Sequence, residues 1–190
     1  MKDKTKHALI LTLPVAGMIA IAALIYWLLI VRKQGQAIGL LPSEIAAADL
    51  LWCALALICA LGVVYIFYKL LPMKYMYDPN VRLLADSYSM KFLTVYFIPN
   101  AFYEELIFRG ALQPIIGVIP STLIFTLVHI SYYKKPLMLV EVFLQGLILA
   151  FLYHLSGSLW ITTLAHTAFN TIQTYLIKSN KIPYFDPMTP

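Results

Sequence analysis

The sequence is poor in charged side chains and in cysteine, and each shortage excludes a class of protein. Only 12% of the 190 residues are charged, whereas soluble domains carry roughly 25%. Two cysteines are too few for the disulfide framework that stabilises small secreted domains. Cys53 and Cys59 stand in one apolar run, and we expect both to serve as small apolar residues.

Long apolar runs are abundant, and they predict a membrane protein. Hydrophobic residues make up 61% of the chain, and its mean hydropathy is +0.79. Because a spanning helix needs roughly 20 residues, we predict an all-α, polytopic transmembrane helix bundle that forms a single domain over residues 1–190. The first apolar run is too long for a typical signal peptide, so we expect an uncleaved span there. The six predicted spans cover residues 8–31, 45–71, 90–113, 117–133, 137–155 and 158–177.

The positions of the cations predict how the chain crosses the membrane. Arg32 and Lys33 alone fall on the far side from the N-terminus, and Arg109 lies within a span. This positive-inside bias places both termini in the cytoplasm and predicts a multi-pass protein of a bacterial-type plasma membrane. Since the cations are spread among short loops, the net charge of +5 does not indicate nucleic-acid binding. The remaining eleven cations fall on the N-terminal side: Lys2, Lys4, Lys6, Lys69, Lys74, Arg82, Lys91, Lys134, Lys135, Lys178 and Lys181.

The third predicted span contains adjacent carboxylates, Glu104 and Glu105, and a cation, Arg109. A charge at the bilayer centre costs at least ~2.5–3.5 kcal/mol on insertion scales, so charges there usually have a function. Glu105 and Arg109 stand at i and i+4, which predicts that the glutamate is the counter-ion of the arginine. Glu104 points ~100° away and has no basic residue within helical reach. An unpaired carboxyl in a low dielectric suits proton transfer, which makes Glu104 a candidate general base or acid.

Two later spans each carry a histidine, His129 in the fourth and His166 in the sixth. A single histidine in an apolar helix would be expected to be a core residue. Short connections make neighbouring spans antiparallel, so we predict that both histidines converge with the Glu pair. Asn170 follows His166 by one helical turn, and together they could hydrogen-bond a developing oxyanion. We interpret Glu141 in the fifth span as an interface or packing residue.

Three motifs in this order carry a resemblance to a known family. They are Glu104-Glu105-Leu-Ile-Phe-Arg109, Phe125-Thr-Leu-Val-His129 and His166-Thr-Ala-Phe-Asn170. The set resembles the CAAX-protease and bacteriocin-processing family of intramembrane endopeptidases, also called the Abi family. The resemblance covers residues 90–177, which would form the protease-like core, whereas the first two spans carry nothing diagnostic.

This resemblance implies a glutamate protease that needs no metal or other cofactor. Its substrate would be a peptide or protein at or in the membrane, with lipid as the surrounding partner. By motif position, Glu104 would activate water with help from His129. His166 and Asn170 would stabilise the oxyanion, and Arg109 would support the site through Glu105. The six predicted spans are fewer than those of eukaryotic CAAX proteases, which favours bacterial housekeeping, peptide maturation or immunity over prenylated substrates.

Three alternatives remain open at this point. A glutamate and two histidines can hold Zn²⁺ and leave a site for water, although the chain lacks the His-Glu-x-x-His motif of many zinc proteases. A non-catalytic protein could use the same polar cluster to confer bacteriocin immunity or to hold a partner. The third alternative is a proton-coupled transporter, because ionisable residues in spans also mark proton paths. The sequence shows no repeat of the kind found in many transporters.

Overall fold

The computed structural model describes residues 17, 19–28, 39 and 45–184. Within them the chain is helical and forms no strand. A π-helical segment, Leu106–Leu112, follows the fourth α-helix, and a 3₁₀ turn, Ile130–Tyr132, follows the sixth. The α-helices are α1 (Ile19–Leu28), α2 (Ala47–Leu70), α3 (Pro79–Ser87), α4 (Met90–Glu105), α5 (Gln113–Ile116), α6 (Val118–Leu127), α7 (Pro136–Ser156) and α8 (Leu159–Lys178).

Short polar side chains fix the start of the helices that form the site. The Ser89 hydroxyl accepts a hydrogen bond from the backbone N–H of Phe92 at 3.2 Å, which caps α4. Ser158 caps α8 in the same way, and its hydroxyl lies 3.4 Å from the backbone nitrogen of Ile161. Gly157, between α7 and α8, adopts the left-handed conformation (φ 63°) that glycine tolerates best. This tight turn makes α7 and α8 antiparallel neighbours.

Helix packing brings together the parts of the chain that carry the polar motifs. Helix α4 packs mainly along α8, α6 packs on α7, and α2 packs on both α7 and α8. The short helix α3 lies over the end of α8, where Arg82 donates hydrogen bonds to the carbonyl of Ile177 and the side chain of Asn180. The glutamate-bearing helix and the helix of His166 are therefore direct neighbours.

The structure supports the all-helical fold but does not establish six spans. Two helices, α2 and α7, are long and apolar enough to cross a membrane, judged by length and composition alone. They correspond to the predicted second and fifth spans. The third span corresponds to α4 with its π-helical continuation, and the sixth to α8. The structure describes residues 17 and 19–28 of the predicted first span, which include α1, and the rest of that span lies outside the described residues. The cytoplasmic location of the termini stays a prediction.

The predicted fourth span differs most from the structure. Helix α6 has ten residues and ends at Leu127, whereas the sequence predicted a span over 117–133. Beyond it, the backbone N–H of His129 bonds to the carbonyl of Thr126 at 3.1 Å, and a 3₁₀ turn follows. The polar end of this segment is thus a turn.

Candidate active site

One cavity collects the side chains that the sequence singled out for chemistry. It has a volume of about 350 Å³ and lies between α4, α7, α8 and the turn after α6. Glu104, His129, His166 and Asn170 all line it. Glu105 and Arg109 are buried behind its wall, with 0% and 1% of their surface exposed. The four predicted water-activating and oxyanion-binding residues therefore share one space.

Glu105 and Arg109 form a buried ion pair, as their spacing predicts. Glu105 Oε2 lies 3.2 Å from Arg109 Nε, although the two atoms are not aligned for a hydrogen bond. The guanidinium also donates through Nη2 to the carbonyl of Gly146 at 3.0 Å. Its central carbon lies 4.6 Å from the centre of the Phe125 ring, within cation–π range. Removing one partner of such a pair would leave the other charge uncompensated in the interior.

His166 lies between the two carboxylates. Its Nδ1 is 2.8 Å from Glu105 Oε1, which accepts the hydrogen bond. On the other side of the ring, Nε2 is 3.8 Å from Glu104 Oε2 and faces the cavity. Glu105 thus binds His166 through Oε1 and faces Arg109 with Oε2. The ion pair fixes the ring that forms part of the cavity wall.

His129 reaches the cavity from the turn that follows α6. Its Nδ1 lies 2.7 Å from the carbonyl oxygen of Phe125. A carbonyl only accepts, so Nδ1 must carry the proton, and in the neutral ring Nε2 then has a free lone pair. The imidazole also contacts the ring of Phe125 at 4.8 Å and stacks on that of Tyr132 at 5.7 Å. These contacts hold the ring in a form that can accept a proton from water.

The sequence analysis missed several polar residues of the cavity. Tyr96 and Asn100 line it from α4, and Glu141 and Gln173 line it from α7 and α8. Tyr96, Asn100 and Glu104 recur every four residues, so they share one face of an otherwise apolar helix. That polar stripe could have been found from the sequence. Glu141 offered no such periodic signal.

The helix that carries the Glu pair changes its winding directly after Glu105. The next seven residues, Leu106–Leu112, form a π-helical segment. Short π-helical segments within α-helices are rare, and they occur frequently at functional sites. Here the segment holds Arg109 within ion-pair distance of the last residue of α4.

No metal centre is apparent in the part of the chain that the structure describes. No group of three or more His, Cys, Asp and Glu side chains there is arranged to hold a metal ion.

Fold and site together define a class of protein: an all-helical, apolar chain with carboxylates and imidazoles around one cavity. Residues 86–172 match the family model described as type II CAAX prenyl endopeptidase Rce1-like. All six predicted site residues fall within the match. The match confirms the resemblance to the CAAX-protease and bacteriocin-processing family over this segment.

A curated relative from Bacillus subtilis (strain 168), called uncharacterized protein YpbD, is 38% identical over 66 residues. The aligned stretch covers 35% of this chain and 35% of the relative. No solved structure matches the chain.

Proposed function

We propose that the protein is an intramembrane peptidase in which Glu104 activates the attacking water. The observation that carries this proposal is the shared cavity: Glu104, His129, His166 and Asn170 all line it. A carboxylate and an imidazole that face the same space can accept a proton from water, and an imidazolium and an amide can donate to an oxyanion. The match of residues 86–172 to a CAAX prenyl endopeptidase model supports hydrolysis of a peptide bond as the reaction class.

The proposed reaction begins with water in the cavity. Glu104 takes a proton from the water, with His129 Nε2 as a second acceptor, and the oxygen attacks the scissile carbonyl carbon. The carbonyl oxygen becomes an oxyanion, which accepts hydrogen bonds from protonated His166 Nε2 and from the Asn170 amide. As the carbon–nitrogen bond breaks, the protonated Glu104 returns its proton to the leaving nitrogen. The products are a carboxylic acid and an amine, and the acid then releases its proton to the amine or to water.

Glu105 and Arg109 act through His166 in this proposal. Glu105 Oε1 accepts a hydrogen bond from the Nδ1–H group of His166 at 2.8 Å. The opposite ring nitrogen, Nε2, therefore faces the cavity. Arg109 compensates the charge of Glu105 at 3.2 Å. Neither needs to touch the substrate, and both are therefore positioning residues.

The test is cleavage of a peptide library by the detergent-purified protein, with wild type beside Glu104→Gln. We expect the variant to lose at least ~10²-fold in rate, the lower end for general acid–base catalysis, and to fold normally. Asp86→Asn is the matched control, because that carboxylate is exposed and pairs with Arg82 within the same helix. Each protein is assayed with and without a zinc chelator.

The outcomes separate the competing functions. Cleavage that needs Glu104 and survives chelation supports the glutamate mechanism. Loss on chelation that Zn²⁺ restores would replace it with a metalloprotease. Full activity of a folded Glu104→Gln variant would remove Glu104 from the mechanism. If neither form cleaves any peptide, a non-catalytic role in immunity or partner binding becomes the better explanation.

A further inference from the structure

A second carboxylate lines the candidate active site. Glu141, on α7, lines the same cavity as Glu104 and is 3% exposed. Its Oε1 accepts a hydrogen bond from Gln173 Nε2 at 3.1 Å. The Tyr68 hydroxyl accepts from the same nitrogen at 3.3 Å and hydrogen-bonds to the carboxyl through its own O–H. The proposed mechanism makes no use of Glu141.

One oxygen of this carboxyl lacks a partner. Glu141 Oε2 is buried, and no described residue gives it a well-formed hydrogen bond. An unpaired buried acceptor destabilises the fold, and more so when the group is charged. A packing role would need only the contacts to Tyr68 and Gln173, and it leaves Oε2 unexplained. The unpartnered oxygen belongs to a side chain that lines the cavity, so a substrate group could satisfy it.

The charges around the cavity indicate what kind of substrate group would bind the unpartnered oxygen of Glu141. The lining includes the carboxyls of Glu104 and Glu141, but no lysine or arginine among the described residues. Its only basic side chains are His129 and His166. Arg109 is sealed behind the wall and paired with Glu105. A cavity lined by carboxyls and by neither lysine nor arginine favours a cationic substrate group that donates hydrogen bonds.

We propose that Glu141 is a specificity-determining residue that receives a lysine or arginine side chain of the substrate, close to the scissile bond. The inference rests on the proposed peptidase function, since it assigns a substrate class to the same cavity. The ammonium or guanidinium group donates to Oε2, while Gln173 holds Oε1. A substrate with an uncharged residue at that position leaves Oε2 unsatisfied and binds more weakly.

The experiment compares matched peptides that differ at one position. In a set of fluorescent peptides, lysine stands at each position in turn, and each peptide has a partner with methionine at that position. Methionine is chosen because it is also unbranched but carries no charge. For the wild type we expect at least one position where lysine is preferred about tenfold in kcat/KM. Glu141→Gln should reduce that preference to within about twofold by slowing the lysine peptide alone. Glu141→Lys should prefer a glutamate peptide at the same position.

Tyr68→Phe is the structural control. It removes the hydroxyl beside Glu141 but keeps the carboxylate, and Tyr68 does not line the cavity. We expect this variant to keep the lysine preference. The preference ratio is the decisive quantity, because general damage to the fold lowers both peptides of a pair together. Equal loss on both peptides in Glu141→Gln, or loss of the preference in Tyr68→Phe, would overturn the proposal.

Binding of the same peptide pairs, measured by fluorescence anisotropy, separates this inference from the proposed function. If the wild type cuts no peptide but binds lysine peptides about tenfold more tightly through Glu141, the specificity proposal stands and the peptidase proposal fails. If it cuts peptides but shows no preference for a cation at any position, the specificity proposal fails and the peptidase proposal stands.

Discussion

Two consecutive residues, Glu104 and Glu105, belong to different regions of the molecule. Glu104 lies on the cavity side, where 19% of its side chain is exposed and its carboxyl faces His166 at 3.8 Å. Glu105 lies in the packed interior, fully buried, between His166 and Arg109. The region around Glu104 is polar and open to water. The region around Glu105 is closed to water, and its charges compensate each other. The same side chain therefore suits chemistry in one region and architecture in the other.

The two regions share a wall. The Phe125 ring lies under the Arg109 guanidinium at 4.6 Å and contacts the His129 ring at 4.8 Å. It also meets the edge of Phe108 at 5.1 Å. The interior and the cavity thus differ in chemistry, but the Phe125 side chain contacts residues of both. Substitutions should reveal how independent the two regions are.

The largest effect is expected from Arg109→Ala. It leaves Glu105 buried without its counter-ion, and breaking a buried pair in this way costs about 3–5 kcal/mol. The measurement is thermal unfolding in detergent. The double variant Glu105→Gln with Arg109→Met should recover most of that loss, because it removes both charges, and it should stay impaired in cleavage because His166 loses its carboxylate. An Arg109→Ala protein as stable as wild type would show that the pair is not a structural element.

His129→Asn should give the next largest effect, and on activity alone. The asparagine amide nitrogen takes the place of Nδ1 and can keep the hydrogen bond to the Phe125 carbonyl, but nothing replaces Nε2. We expect cleavage to fall by about 10²-fold, with the unfolding temperature nearly unchanged.

Tyr133→Phe is the control for this turn. Its hydroxyl donates to the carbonyl of Leu127 at 2.6 Å and does not line the cavity. This variant should keep full activity. If His129→Asn remained active, Nε2 would have no part in the reaction.

The interior was easier to predict from the sequence than the cavity. The pairing of Glu105 with Arg109 follows from their spacing on one helix, and burial makes the pairing necessary. The position of His129 depends on where α6 ends, and no glycine or proline marks that end. The helix ends there through turn hydrogen bonds such as that from His129 to Thr126.

Glu141 shows a second limit of sequence reasoning. A lone carboxylate in an apolar helix is compatible with packing or with a site, and only the rotation of α7 against its neighbours decides which wall it joins. The structure places it both in a hydrogen-bond network and on the cavity. The all-helical class was predictable from composition, whereas the number of spans depends on the bilayer as well as on the helices.

The smallest expected effect tests the shared wall directly. In Gly146→Ala, the new Cβ would lie 2.8 Å from Phe125 Cδ1 and 3.1 Å from Thr122 Cγ2. The ring must shift, and such overpacking typically costs about 1–3 kcal/mol. Because that ring also contacts His129, we expect a fall in cleavage of a few fold together with the lower unfolding temperature.

Gly62→Ala is the matched control, since a Cβ added at that position in α2 meets no atom within 4 Å. Alanine is a better helix former than glycine by roughly 0.5–1 kcal/mol, so this variant should be slightly stabilised and fully active. If Gly146→Ala lowered stability without changing cleavage, the interior and the cavity would be independent, and Phe125 would separate the two regions without coupling them.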